Sequence, residues 1–88
     1  MSGNILLKKI SGAQITGESF AGSDCSGSDG NTSRVLTTVG ASTAMGEITL
    51  FVDGDFLRET DDYTLSGNDI TILIKIWDTQ KIDVRYLQ

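Results

Sequence analysis

The chain has 88 residues and a formal charge of −5, from 7 Lys+Arg against 12 Asp+Glu, with 10 glycines, 1 cysteine and neither proline nor histidine. That sign opposes a phosphate backbone, and the basic residues (Lys8, Lys9, Arg34, Arg58, Lys75, Lys81, Arg85) are scattered, so nucleic acid is not an expected partner. No intrachain disulfide can form, the lack of histidine removes Ser-His-Asp and Cys-His catalysis and argues against zinc, and so thin a core leaves oligomerisation as the remaining staple.

Residues 4–10 (NILLKKI) carry a continuous apolar run, Ile5-Leu6-Leu7, without clean alternation. A first strand, a single helical turn and an arm laid on a neighbouring subunit all fit it. Lys8 and Lys9 follow the apolar residues, the reverse of a signal peptide, and no stretch approaches a membrane span; synthesis in the cytosol and no membrane partner are expected. In residues 13–20 (AQITGESF), Ile15 and Phe20 lie an odd number apart, so if both are buried, Gly17 marks a bulge or turn in a short irregular strand. Residues 21–33 (AGSDCSGSDGNTS) hold nothing large enough to anchor a core and read as an exposed, flexible Gly/Ser/Asp loop. Cys25 has no cation beside it in sequence, so it reads as an ordinary exposed thiol. The loop has neither the ligand spacing of an EF-hand nor the Gly-Lys-Ser/Thr ending of a P-loop.

Residues 33–39 (SRVLTTV) are rich in β-branched side chains and predict a strand, followed by a second small-residue loop over 40–46. From Glu47 the period is two: Ile48, Leu50 and Val52 face one way, Glu47, Thr49 and Phe51 the other. Asp53-Gly54 is the dipeptide of a two-residue type I′ hairpin, leading into a short return strand over 55–58. Glu59-Thr60-Asp61 makes a corner, residues 62–66 alternate with Tyr63 and Leu65 on one face, and Gly67-Asn68 is a further turn. Residues 70–76 place Ile70, Ile72, Ile74 and Ile76 on one face of a strand and Thr71, Leu73 and Lys75 on the other, a stripe no helix could gather. Residues 77–80 connect to a closing strand over 81–87, with Ile82, Val84 and Tyr86 inward and Asp83 and Arg85 outward.

The fold class predicted is all-β: one domain over 1–88, a small antiparallel β-sandwich or partly closed barrel of about seven short strands, with an N-terminal arm over 1–12 and a flexible loop over 21–33. The acidic cluster Asp53, Asp55, Glu59, Asp61 and Asp62 could hold calcium, but Asp favours turns for backbone hydrogen bonding alone, and solvated turns are the expected reading. A carboxylate-pair glycosidase needs a cleft that so small a domain has little room to build, so no catalytic residue and no cofactor are expected. Phe51, Leu57, Leu73, Trp77 and Leu87 fall on faces that ought to be wet. Coverage of both faces within one sandwich and a subunit interface both remain open as explanations.

Leu50-Phe51-Val52-Asp53-Gly54, then Asp62-Tyr63-Thr64-Leu65-Ser66-Gly67-Asn68, then Ile70-Thr71-Ile72, and last Lys81-Ile82-Asp83-Val84-Arg85-Tyr86 resemble a β-rich module of tailed-bacteriophage virion proteins. The likeness covers the C-terminal half and departs from the module at residues 75–80, where proline and small residues are usual. It implies a virion structural protein without catalytic residues. Because the module here is free-standing, the expectation is an accessory capsid decoration or cement subunit, homo-oligomeric, made in the host cytoplasm and located in the virion with capsid or other virion proteins as partners. The expected contact residues are Ile5, Leu6, Leu7, Phe51, Leu57, Leu73, Trp77 and Leu87. Removing residues 2–10 is expected to leave the β-domain folded but to abolish attachment. Tail, neck or baseplate positions are the alternative within the virion. Different in class is a small carbohydrate-binding module stacking sugars on Trp77 and on Tyr63 or Tyr86, with calcium at the acidic turns.

Overall fold

The computed structural model describes residues 14–88. It is built of two antiparallel sheets, one of four strands in the order β1-β7-β3-β4 and one of three in the order β2-β6-β5. The strands are β1 (Ile15–Ala21), β2 (Arg34–Thr37), β3 (Thr49–Val52), β4 (Asp55–Leu57), β5 (Tyr63–Ser66), β6 (Asp69–Ile72) and β7 (Lys81–Leu87). The sheets do not close into a barrel, so of the two architectures expected the sandwich holds.

Strand alternation produces the core. Leu50 lies between Val84 on β7 and Leu57 on β4, and Val52 lies opposite Ile82, so one face of the larger sheet is continuous hydrocarbon. Ile70 and Ile72 supply the facing layer, with Leu36 on β2 and Tyr63 on β5 in register beside them. Leu50, Ile70, Ile72, Ile76, Ile82 and Val84 have no exposed surface, and burying each such side chain contributes roughly 1.5–3 kcal/mol before the entropy of ordering is counted.

The turns follow their residues. Asp53 and Gly54 both have positive φ, 51° and 85°, as a type I′ turn demands, and Val52 faces Asp55 directly across it. Asp53 also accepts hydrogen bonds from Lys81 N–H (2.8 Å) and Gln80 Nε2 (3.1 Å), and Asp62 accepts from Arg58 N–H (2.9 Å), so these acidic residues serve their turns. Among the described residues, no three His, Cys, Asp or Glu side chains gather as a metal site.

Three expectations are corrected. The isoleucine strand ends at Ile72, and residues 73–76 leave the sheet: Ile76 N–H donates to Asn31 O (3.1 Å) while Gly30 N–H donates to Ile76 O (2.8 Å), so Ile76 fills the core from an irregular segment. No bulge occurs at Gly17, because β1 pairs with β7 without interruption from Ile15↔Leu87 to Ala21↔Lys81, and Ile15 points to solvent. Residues 21–33 also reach the interior: a 3-10 turn, Gly22–Asp24, lays Gly22 against the Trp77 carbonyl and carries Cys25 into the core. Burial raises the Cys25 thiol pKa, so the exposed thiol of the sequence reading is a buried, protonated one.

Candidate interaction surface

The two sheets differ on their outer faces. On the smaller sheet, Val35, Thr71 and Thr64 form one outward row and Thr37, Asp69 and Ser66 the next, a surface that is polar but for one valine. On the larger sheet, Phe56 and Phe51 face each other across the β3–β4 hairpin, edge to face with ring centroids 6.1 Å apart. Asp83 and Ser19 continue that row, with the Ser19 hydroxyl donating to Asp83 at 2.7 Å. At the far corner Ile15 and Leu87 lie side by side, and Met45 is tied there by its N–H to Leu87 O (2.6 Å). Phe56 is 59 % exposed and Ile15 76 %, so the outer face of the larger sheet carries two apolar pairs, Phe51–Phe56 and Ile15–Leu87, set among Thr49, Lys81, Asp83 and Arg85 of the same face.

A second feature lies at the end of the sandwich that bears residues 76–80. Arg34, an inward position on β2, is only 2 % exposed. Its Nε donates to Ser26 O (2.7 Å), its Nη1 to Ile76 O (2.8 Å), and its Nη2 to Cys25 O (3.2 Å) and to Asp78 Oδ1 (2.9 Å). The planar guanidinium fork satisfies four acceptors from two segments, so from β2 one side chain fastens the Gly/Ser loop to residues 76–78. Asp29 adds to the clasp by accepting the Asp78 N–H at 2.6 Å. Trp77 sits on top, 49 % exposed, its ring over Gly30, where a Cβ would come within 2.5 Å.

A third cluster pins β1 to the loop between the sheets. The Glu18 carboxylate accepts from Tyr86 Oη (2.6 Å), Val39 N–H (2.7 Å) and Gly40 N–H (3.3 Å). Burial alone would raise the Glu18 pKa, but the bond from Tyr86 and those from the two backbone amides outweigh it and hold the carboxyl below its usual value. The same bond to Glu18, with burial behind it, raises the Tyr86 pKa. Tyr63, desolvated in the core and facing Glu59 and Glu47, is pushed up to about 12.

The contact residues expected from sequence separate in space. Phe51 and Leu87 lie on the outer face of the larger sheet, Trp77 lies at the loop end, and Leu73 is half-buried after β6. Leu57 is a correction: the I′ turn places it opposite Leu50, so it belongs to the core. Ile5, Leu6 and Leu7 lie outside the described residues. Sequence reading missed Phe56 and Ile15, the exposed partners of Phe51 and Leu87, and it missed Arg34, whose charge gave no sign of facing inward. Tyr63 and Tyr86 are buried, so neither can stack on a sugar, and the pairing expected for a carbohydrate-binding module is corrected.

Among the described residues no helix is long and apolar enough to cross a membrane. Comparison with protein-family models, curated proteins and solved structures finds no match.

Proposed function

We propose that this protein is a structural subunit of a bacteriophage virion, added to the capsid exterior as a decoration or cement protein and working through protein–protein contact. The observation that carries the reading is the asymmetry of the sandwich: large apolar side chains stand outside its larger sheet, in the pairs Phe51–Phe56 and Ile15–Leu87 with charged residues between them, and none as large stands outside the strands of its smaller one. The likeness of residues 50–54, 62–68, 70–72 and 81–86 to a virion module supplies the kind of assembly. In such a role the larger sheet lies against the shell, and stability comes from many copies of one modest apolar contact. Quantitative mass spectrometry of phage particles purified from a host that makes this chain tests the role. A copy number that is a fixed multiple of the capsomer count supports it, a few copies per particle moves the protein to tail, neck or baseplate, and absence from particles removes the virion reading.

A further inference from the structure

Among the described residues four strands end the two sheets, and three of them give a further strand little to pair with. β4 is 3 residues long, β5 and β2 are 4 each. β2 is also occupied from outside, since Ser26 N–H donates to Val35 O (2.8 Å) and Ser26 Oγ accepts from Val35 N–H (2.9 Å). β1 differs: it is 7 residues long, with no proline, no lysine and no bulge, and its one charge, the inward-turned Glu18 carboxylate, is bonded to Tyr86, Val39 and Gly40.

The hydrogen-bond phase of β1 is set by its start, where Gln14 and Gln88 exchange both backbone bonds, at 3.0 and 2.9 Å. Alternation then turns Thr16, Glu18 and Phe20 toward β7, and leaves the N–H and C=O of Ile15, Gly17 and Ser19 pointing away from the sheet. Among the described residues nothing bonds those six groups. The free run stops at Ala21, whose N–H is taken by Asp24 Oδ2 at 2.9 Å. Among the described residues the open edge is therefore 15–19, and its midpoint is Gly17.

We propose that this edge pairs with the same edge of a second copy, antiparallel about a two-fold axis through Gly17. That register places Gly17 opposite Gly17, Ile15 opposite Ser19, and Thr16 opposite Glu18. Space around Gly17 is open, with nothing within 4 Å of where a Cβ would stand. Ile15, 76 % exposed in one copy, lies diagonally beside Gly17 and Ala21 of the other, small residues that leave it room on the joined outer face. Shifting the axis to Glu18 sets two carboxylates opposite each other and demands the Ala21 N–H already bound to Asp24. Shifting it to Thr16 loses pairs. Self-complementarity of this kind is what an isologous contact requires, and it makes a second copy the occupant that fits. The net charge of −5 on each copy opposes the contact, so it tightens with added salt. The inference stands apart from the virion reading, because a dimer forms whether or not the sheet face meets a capsid.

Sedimentation equilibrium of the full chain tests the surface, and engineered thiols test the register. The wild type is expected to be a dimer at high micromolar concentration. Gly17→Pro removes an N–H that β7 does not use and blocks the approach of a second strand; it is expected to keep the circular dichroism and weaken dimerisation by about a hundredfold or more. Gly17→Lys, set in open space, repels its counterpart and is expected to do the same without touching the backbone. Gly17→Cys is expected to cross-link under oxidised glutathione, since hydrogen-bonded antiparallel pairs stand about 5.5 Å apart at Cα. Ser19→Cys is expected not to, its counterpart being roughly 13 Å away. A monomeric wild type, or a Gly17→Pro chain that dimerises unchanged, overturns the surface. Cross-linking through Ser19→Cys in preference to Gly17→Cys overturns the register.

Discussion

Arg34 shows how one side chain holds an end of this sandwich together. Its partner Asp78 is 46 % exposed, so the ion pair itself is screened by water, whereas the carbonyls of Ser26, Cys25 and Ile76 have no other side chain bonding them among the described residues. Asp78→Asn is accordingly expected to cost less than about 1 kcal/mol, and Arg34→Ala roughly 3 kcal/mol, as urea denaturation would measure. Equal losses for the two would mean that the charge pair, not the carbonyl clasp, is what matters. The Glu18–Tyr86 bond gives stability a pH dependence of known sign. Because the folded Glu18 carboxyl sits below its ordinary 4.5, its contribution is complete above that value and is lost as pH falls through the lowered one. Tyr86 and Tyr63 are raised, so theirs is complete below the ordinary 10.0 and is lost as pH rises, for Tyr63 through about 12. A plateau of melting temperature from pH 5 to 9 is expected, with Glu18→Gln removing part of the acid limb and Tyr86→Phe leaving the Tyr63 part of the alkaline one. An acid limb unchanged in Glu18→Gln would contradict the assignment. Neither cluster was legible in the sequence. Arg34 bonds residues up to 44 positions away and Tyr86 one 68 positions away, and no local pattern encodes such partners.

Local chemistry did encode the elements wherever turn and strand agreed. Asp53-Gly54 and the alternation on either side of it define the β3–β4 hairpin, and Ile82, Val84 and Tyr86 alternate inward along β7 as expected. The hairpin also contained more than was read from it. A two-residue turn between Val52 and Asp55 forces Leu57 opposite Leu50 and Phe56 opposite Phe51, which would have put Leu57 inside and Phe56 outside. Legibility failed where an element answers to a distant one. Residues 73–76 keep the isoleucine alternation, yet Ile76 exchanges backbone bonds with residues 30 and 31 of a loop that seemed too small-featured to pack against anything. That loop works because it is small: a Cβ on Gly22 would run into the Trp77 backbone carbonyl. Gly22→Ala is therefore expected to destabilise by about 1–3 kcal/mol and to shift Trp77 fluorescence. Gly54→Ala, with open space but a φ of 85°, is expected to cost about 1 kcal/mol and leave the fluorescence alone. A fluorescence change of the same size in both would sever Trp77 from the loop packing.

At the scale of the molecule, two thin sheets pack their inner side chains together, and the larger sheet turns two apolar pairs outward among charged residues. Composition argued that so small a chain leans on neighbours, and alternation located Phe51 and Leu87 on the face where it can. The remainder of that face came from register: Phe56 reaches it through the hairpin and Ile15 through pairing with Leu87. Because these side chains touch little of the core, exchanging them separates docking from folding. The decisive measurement is co-sedimentation of purified protein with particles that lack it, comparing the wild type with a Phe51→Ser, Phe56→Ser double variant of matched melting temperature. Docking through the larger sheet predicts saturable binding by the wild type and at least about a tenfold loss in the variant. Undiminished binding by the variant would contradict it.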